Sequence, residues 1–393
     1  MQKILFLLLS VVISACAGTP ASVTSQPTFQ TSTPVEVTAT LLLNETPPRG
    51  AEFEFITDFS KHSVPYSEIF SGGPPKDGIP SIDAPKFISV DEADEWLEDR
   101  EPVVFVQVGD DARAYPIQIL MWHEIVNDVV GDEPLMVSFC PLCNTAIAFK
   151  RTFDGQVLDF GTTGRLRYSN LIMYDRQTET WWQQATGTAI VGTYTGRQLE
   201  FYPASMVSWA DFKTQHPTGQ VLSRDTGNQR NYGGNPYVGY DDINQEPFLF
   251  EGPTPDQLPA MARVLTVDLG NEAVAYPYEI LSDLYVINDI VNNEEIVVFW
   301  AGGTASALDA PKIFEGREVG AAATYSRILE NIELTFKFVD GKIIDEQTNS
   351  EWNIFGIAVD GELEGKKLTP VVSINHFWFS WAAFKPETRV YEP

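Results

Sequence analysis

Two cysteines three residues apart are the groups in this chain best suited to chemistry. They stand in Cys140-Pro141-Leu142-Cys143, and the only other cysteine is Cys16. Three uses are open. A structural disulfide would close a four-residue loop, which chain entropy rates at about 2 kcal/mol against roughly 3 for a 15-residue loop. That is a poor staple for a chain long enough to build a large core. As a redox pair the short loop is an advantage, because one thiolate attacks and the other resolves the intermediate. No added cofactor is then required. As a metal site the two sulfurs are half of a tetrahedral set for copper or zinc, and further ligands must come from elsewhere.

His123, in Met121-Trp122-His123-Glu124, lies 17 residues before Cys140. A lone histidine is usually structural, yet this one is placed to act as a base that lowers a thiol pKa, or as a third metal ligand. Met121 and Met136 would suit Cu(I), but among strands they read as core. Arg165 and Arg167, in Gly161-Thr162-Thr163-Gly164-Arg165-Leu166-Arg167, are conspicuous in so acidic a chain. They would hold an anion or stabilise a thiolate, unless they only balance nearby acids. The candidate catalytic set is therefore Cys140, Cys143, His123, Arg165 and Arg167, and the alternative metal set is Cys140, Cys143 and His123.

The elements that position these residues occur in two versions. Ala114-Tyr115-Pro116 returns as Ala275-Tyr276-Pro277, and Val126-Asn127-Asp128-Val129-Val130 as Ile287-Asn288-Asp289-Ile290-Val291. Leu135 to Phe139 matches Glu295 to Phe299, Asp175-Arg176-Gln177-Thr178 matches Asp345-Glu346-Gln347-Thr348, and Ser208 to Lys213 matches Ser380 to Lys385. Matches in one order point to two structural repeats, about 101–217 and 261–389. Short β-branched runs such as Val103–Val108, Pro134–Phe139, Thr145–Phe149 and Ile296–Trp300 read as strands. Helix is expected only over Asp91–Leu97 and just after Tyr115-Pro116. The expected fold is mainly β (a β-rich α+β fold), with two duplicated halves packed into one large body.

The repeats differ where chemistry is expected. After Phe299 the second half has Trp300-Ala301-Gly302-Gly303-Thr304 in place of the cysteine motif, and Asp283-Leu284-Tyr285 replaces the segment with His123. The first half has 14 residues between Phe160 and Asp175, whereas the second has 8 between Phe336 and Asp345. A shared fold cannot require groups that only one half carries.

The N-terminus addresses location. Lys3, the apolar run Ile4–Ile13 and the small residues before Cys16 read as a signal peptide over 1–15, since the run is too short to span a bilayer. Ile13-Ser14-Ala15-Cys16 resembles the lipobox of bacterial lipoproteins, in which the cysteine is lipidated; cleavage of an ordinary secretory peptide near Ala17 is the alternative. Either places the body outside the cytoplasm, in the first case held in the cell envelope by a lipid on Cys16. Residues 16–50 are a Thr-, Ser- and Pro-rich tether. An N-terminal segment 51–100, the first repeat 101–217, a loop-rich connector 218–260 and the second repeat 261–393 follow. The net charge of -28 argues against nucleic acid and anionic lipid as partners, and the 12% aromatic content excludes disorder of the body.

The strings Ala114-Tyr115-Pro116, Phe139-Cys140-Pro141-Leu142-Cys143-Asn144-Thr145, Met173-Tyr174-Asp175-Arg176-Gln177-Thr178 and Asn235-Pro236-Tyr237 together resemble the prokaryotic family called domain of unknown function 3179, from about residue 57 to the C-terminus. Some of its members are described as probable selenoproteins, which would favour redox use of Cys140 or Cys143. Three functions stay open at this point. One is a thiol–disulfide or peroxide-type oxidoreductase with a thiol redox partner, and a second is a copper- or zinc-binding lipoprotein. The third is a ligand-binding or surface-assembly protein with a structural disulfide, contacting its ligand through Tyr232, Tyr237 and Tyr240. Nucleotide-binding and G-x-S-x-G motifs are absent, and Asn144 stands where an attached haem would need histidine.

Overall fold

The computed structural model describes residues 45–253 and 255–393. The signal segment, Cys16 and most of the tether lie outside these residues. Among the described residues the chain is built from short strands, and no α-helix exceeds seven residues. It is a mainly β protein, as its alternating β-branched runs require.

Each half uses three small sheets in the same order. In the first half Pro102–Val108 and Asp111–Pro116 form an antiparallel pair. Helix Ile117–His123 follows, then the antiparallel strands Ile125–Val130, Glu133–Cys140 and Thr145–Lys150. A third sheet holds Phe160–Arg167, Asn170–Asp175 and Trp181–Gln183. In the second half Arg263–Asp268 pairs with Ala273–Pro277, helix Tyr278–Leu284 follows, and Val286–Val291, Glu294–Ala301 and Ala321–Ser326 pair in turn. Its third sheet holds Phe336–Val339, Lys342–Asp345 and Glu351–Trp352.

Side-chain bonds recur with the strands. The Asn127 amide donates to Phe160 O and accepts from Phe160 N (2.8 and 2.9 Å), and Asn288 clamps Phe336 in the same way (2.7 and 2.9 Å). Tyr115 and Tyr276 donate to Asp128 and Asp289. Asp175 and Asp345 each accept from a Thr three residues on and from an indole N–H seven residues on, that of Trp182 and Trp352.

These bonds correct two registers read from the sequence. Phe299 corresponds to Ser138 rather than Phe139, because Ile125 faces Ser138 as Val286 faces Phe299. A one-residue slip would turn every side chain of the strand to the opposite face. Likewise Trp209 corresponds to Trp378 rather than Trp381. Trp209 N donates to Glu101 O and Trp378 N to Ala262 O, each at the first turn of a helix that follows a strand. The second half repeats tryptophan at an interval of three, Trp378 and Trp381, so the two registers look alike in sequence. The early helix starts at Val90 and ends at Asp94, because Ser89 and Glu92 form a capping box ahead of Asp91.

The halves share their interior. One apolar cluster joins Val137, Phe139 and Phe149 to Phe377 and Phe379, and another joins Trp209 and Phe212 to Phe299 and Phe336. Contacts of this kind bury each sheet face against the other half, and that burial is the main stabilising term.

The Asn127 clamp satisfies two buried backbone groups at once. Asn127→Ala should cost about 2–4 kcal/mol in urea unfolding, because both Phe160 groups lose their partner in a dry interior. A loss under about 0.5 kcal/mol would show that the clamp is dispensable.

Candidate functional site

The cysteine motif is shaped by a single 3-10 turn. Cys140 ends the strand Glu133–Cys140 and caps the turn Pro141–Cys143, and Pro141 supplies its preset φ at the first position. Asn144 then leaves in the left-handed conformation (φ 50°), which asparagine tolerates better than most residues. Cys140 is still extended (φ -100°, ψ 105°) and Cys143 closes the turn, and both Sγ atoms approach the Ser169 carbonyl, so the two thiols lie close together. Both are free, and they are 2% and 0% exposed.

One side of the pair is covered by the longer hairpin of the first half. The Ser169 carbonyl accepts from Cys143 Sγ at 3.5 Å and from Cys140 Sγ at 3.9 Å, and Asn170 Nδ2 donates to Cys143 Sγ at 3.5 Å. Asn170 Nδ2 also donates to Gln184 Oε1, and Gln184 Nε2 to Thr145 O and Ser138 Oγ. Tyr168 and Ser169 form the tip at φ 53° and 63°. Neither is glycine, so the tip stores local strain of about 1–3 kcal/mol per residue. Gly164, further back, is required: a Cβ there would overlap the Pro74 carbonyl.

The connector closes the other side. Tyr237 and Tyr240 pack on the cluster that contains both cysteines; burial pushes both phenols up, and the nearby thiols add to it. The segment is anchored by Asp241, whose fully buried carboxylate pairs with Arg263 at 2.6 Å and Arg317 at 2.8 Å. Asn235 N and Gly239 N donate to Pro311 O and Asp309 O. A third contact comes from the second half: His376 Nδ1 lies 2.8 Å from Thr145 Oγ1, which donates to Cys143 O. Burial holds His376 down at about 3, so it stays neutral.

The group that the sequence reading missed is Glu124. It ends helix Ile117–His123 at φ 58°, a conformation that favours glycine, and Tyr285 repeats it at φ 63°. In both cases the next strand binds back, Phe139 N to Glu124 O and Trp300 N to Tyr285 O, each at 2.8 Å. The fold therefore demands the turn, and the side chain is free to differ. In the first half it is a buried carboxyl that burial pushes up to about 8, and it lies close enough to Cys140 to raise that thiol. Cys140 is held well above the ordinary thiol range by burial, then by Cys143 and Glu124. The signal was present in the sequence, because Glu124 stands opposite Tyr285 just as Cys140 stands opposite Ala301.

His123, Arg165 and Arg167 are placed elsewhere. His123 is fully buried, with Nδ1 2.7 Å from Pro80 O and Nε2 2.7 Å from the Tyr232 hydroxyl, and burial lowers its pKa. Both ring nitrogens are taken, so it does not complete a ligand set with Cys140 and Cys143. Among the described residues no group of three or more His, Cys, Asp or Glu side chains could hold a metal ion. Arg165 pairs with Glu54 at 3.0 Å and lies over Phe55 and Trp181, and Arg167 pairs with Glu68 at 2.7 Å. These two arginines hold the N-terminal segment to the hairpin. Tyr232, Tyr237 and Tyr240 are half-buried and pack against the core cluster, and the Tyr232 hydroxyl meets His123.

The site thus sets a carboxyl that burial pushes up to about 8 near the raised Cys140 thiol of a buried cysteine pair. Such an arrangement can hold and move protons during a two-electron oxidation of the sulfurs.

Glu124 gives a stability signature. Its folded pKa, about 8, lies above the ordinary carboxylate value, so the native state binds the extra proton and loses stability as pH rises from about 4.5 to 8. Glu124→Gln should flatten that fall by up to about 1.4 kcal/mol per pH unit and be the more stable form above pH 8. Parallel urea titrations of the two proteins at pH 5 to 9 check this, and identical slopes would refute it.

No curated protein and no solved structure matches the chain. The family described as protein of unknown function (DUF3179) matches residues 76–388, a span that holds Glu124, both cysteines, the covering hairpin and the connector. The chain belongs to the DUF3179 family.

Proposed function

We propose that the chain is a thiol-based oxidoreductase whose Cys140–Cys143 pair reduces a small oxidant of the hydroperoxide class, with Glu124 as the proton carrier. The observation that carries this reading is a buried carboxyl, pushed up to about 8, that lies close enough to Cys140 of a buried cysteine pair to raise that thiol. A structural disulfide has no need of such a group. Burial of both sulfurs favours an oxidant small enough to pass the hairpin and the connector tyrosines.

In the forward step Cys140 passes its proton to the Glu124 carboxylate and attacks the outer oxygen of R–OOH. The O–O bond breaks, Glu124 returns the proton to the departing alkoxide, and Cys140 is left as the sulfenic acid. The Cys143 sulfur then attacks Cys140, the S–S bond forms, and the expelled hydroxide takes the Cys143 proton as water. The sum is two thiols and R–OOH giving a disulfide, ROH and H2O. A dithiol reductant, the expected thiol partner, returns two electrons and two protons. The lipobox-like segment ending in Cys16 supports placing this activity outside the cytoplasm, on a membrane-anchored chain. The copper or zinc alternative finds less support, since both His123 nitrogens are engaged and no third ligand joins the two sulfurs among the described residues.

Stopped-flow consumption of hydrogen peroxide by the reduced protein tests the reading. The rate should rise with pH to a plateau above about 8, where the carboxyl is ionised. Glu124→Gln should remove that limb and slow the reaction by about 100-fold or more. Cys143→Ser should stop at a sulfenic acid that dimedone traps, and Cys140→Ser should abolish turnover. Peroxide consumption that is the same in Cys140→Ser as in the parent would sink it.

A further inference from the structure

The second half has, at the counterpart of the thiol site, an open cleft of about 320 Å³. Tyr285 stands where the first half has Glu124, and Ala301 where it has Cys140. Two changes open this place. Gly302 and Gly303 follow in place of the 3-10 turn that carries Cys143. The hairpin of the third sheet also turns early, at Asp340 and Gly341 between the paired Val339 and Lys342, so its tip lines the gap instead of covering it as Ser169 and Asn170 cover the thiols. Helix Trp209–Gln215 of the first half forms the opposite wall.

The lining restricts the ligand. Tyr285 and Phe338 stack in parallel, with ring centroids 3.8 Å apart and planes within 1°, and make a rigid, half-exposed aromatic slab. Facing it, the Asp211 carboxylate takes a bond from Ser208 Oγ and keeps acceptor capacity. Gln215 accepts from Asn353 Nδ2 at 2.5 Å through its Oε1, which leaves the Nε2 hydrogens as donors. Lys342 and Glu351 neutralise each other at the rim. An anion would meet Asp211 on a chain with a net charge of -28. Apolar ring faces with a few acceptors and donors suit a ring that has an apolar face and hydroxyl edges.

We propose that this cleft binds a neutral saccharide ring, laid against the Tyr285–Phe338 slab, with its hydroxyls donating to Asp211 and accepting from Gln215. This holds independently of any thiol chemistry.

Saturation-transfer NMR on the intact protein tests it, with glucose, galactose, mannose, N-acetylglucosamine, maltose and cellobiose as probes and tetramethylammonium and benzoate as controls. At least one sugar should bind saturably. Phe338→Ala and Asp211→Asn should each weaken it by about tenfold or more. Thr214→Trp, a change at an exposed position on the wall, should abolish binding while circular dichroism stays unaltered. Cys140→Ser should bind as the parent does. No binding by any of the six sugars, binding that survives Thr214→Trp, or saturable binding of tetramethylammonium in their place would overturn the assignment.

Discussion

The geometry of the thiol pair depends on one amide clamp. Asn127 uses both ends of its side chain on the backbone of Phe160, and so fixes where the third sheet of the first half leaves the second. From Phe160 the strand runs to the tip at Tyr168 and Ser169, and only with that starting point does the Ser169 carbonyl arrive between the sulfurs. Asn288 performs the same clamp, but the hairpin it launches is shorter and ends at the edge of the cleft. One interaction thus sets up two places in the fold, and hairpin length decides whether the place is sealed or open.

Much of this was legible in the sequence. The strands around the cysteines, the helix after Tyr115-Pro116 and the mainly β fold followed from period-two runs and turn residues. The longer hairpin shows in the sequence as extra residues, among which two arginines are the conspicuous side chains. Those proved to hold Glu54 and Glu68, while the backbone of Ser169 reaches the thiols. A carbonyl carries no residue-type signal, so its role could not be read from a string of letters. Glu124 was legible in principle and was missed because a carboxylate after a helix usually faces solvent. Only the turn that both halves impose drives it inward.

The connector shows a different limit. From sequence its tyrosines suit ligand or partner contacts and core packing equally well. The structure folds it back over the first half and fastens it to the second through Asp241, Arg263 and Arg317. That arrangement rests on long-range pairing, with Asp241 and Arg317 76 positions apart. Long-range ion pairs leave no local pattern, and a paired buried aspartate looks like any other in sequence.

The Ser169 carbonyl has one more consequence. In the dithiol state it receives both S–H groups, at the tip of a turn whose two residues lie in a conformation that L-amino acids avoid. A disulfide has no S–H to offer. The oxygen would then be an acceptor without a donor in a dry interior, worth about 1–3 kcal/mol, on a turn already under tension. Oxidation would therefore tug on the hairpin as well as join two sulfurs. Arg165 and Arg167 tie the same hairpin to Glu54 and Glu68, so a shift at its tip would be felt along the segment that these two pairs hold.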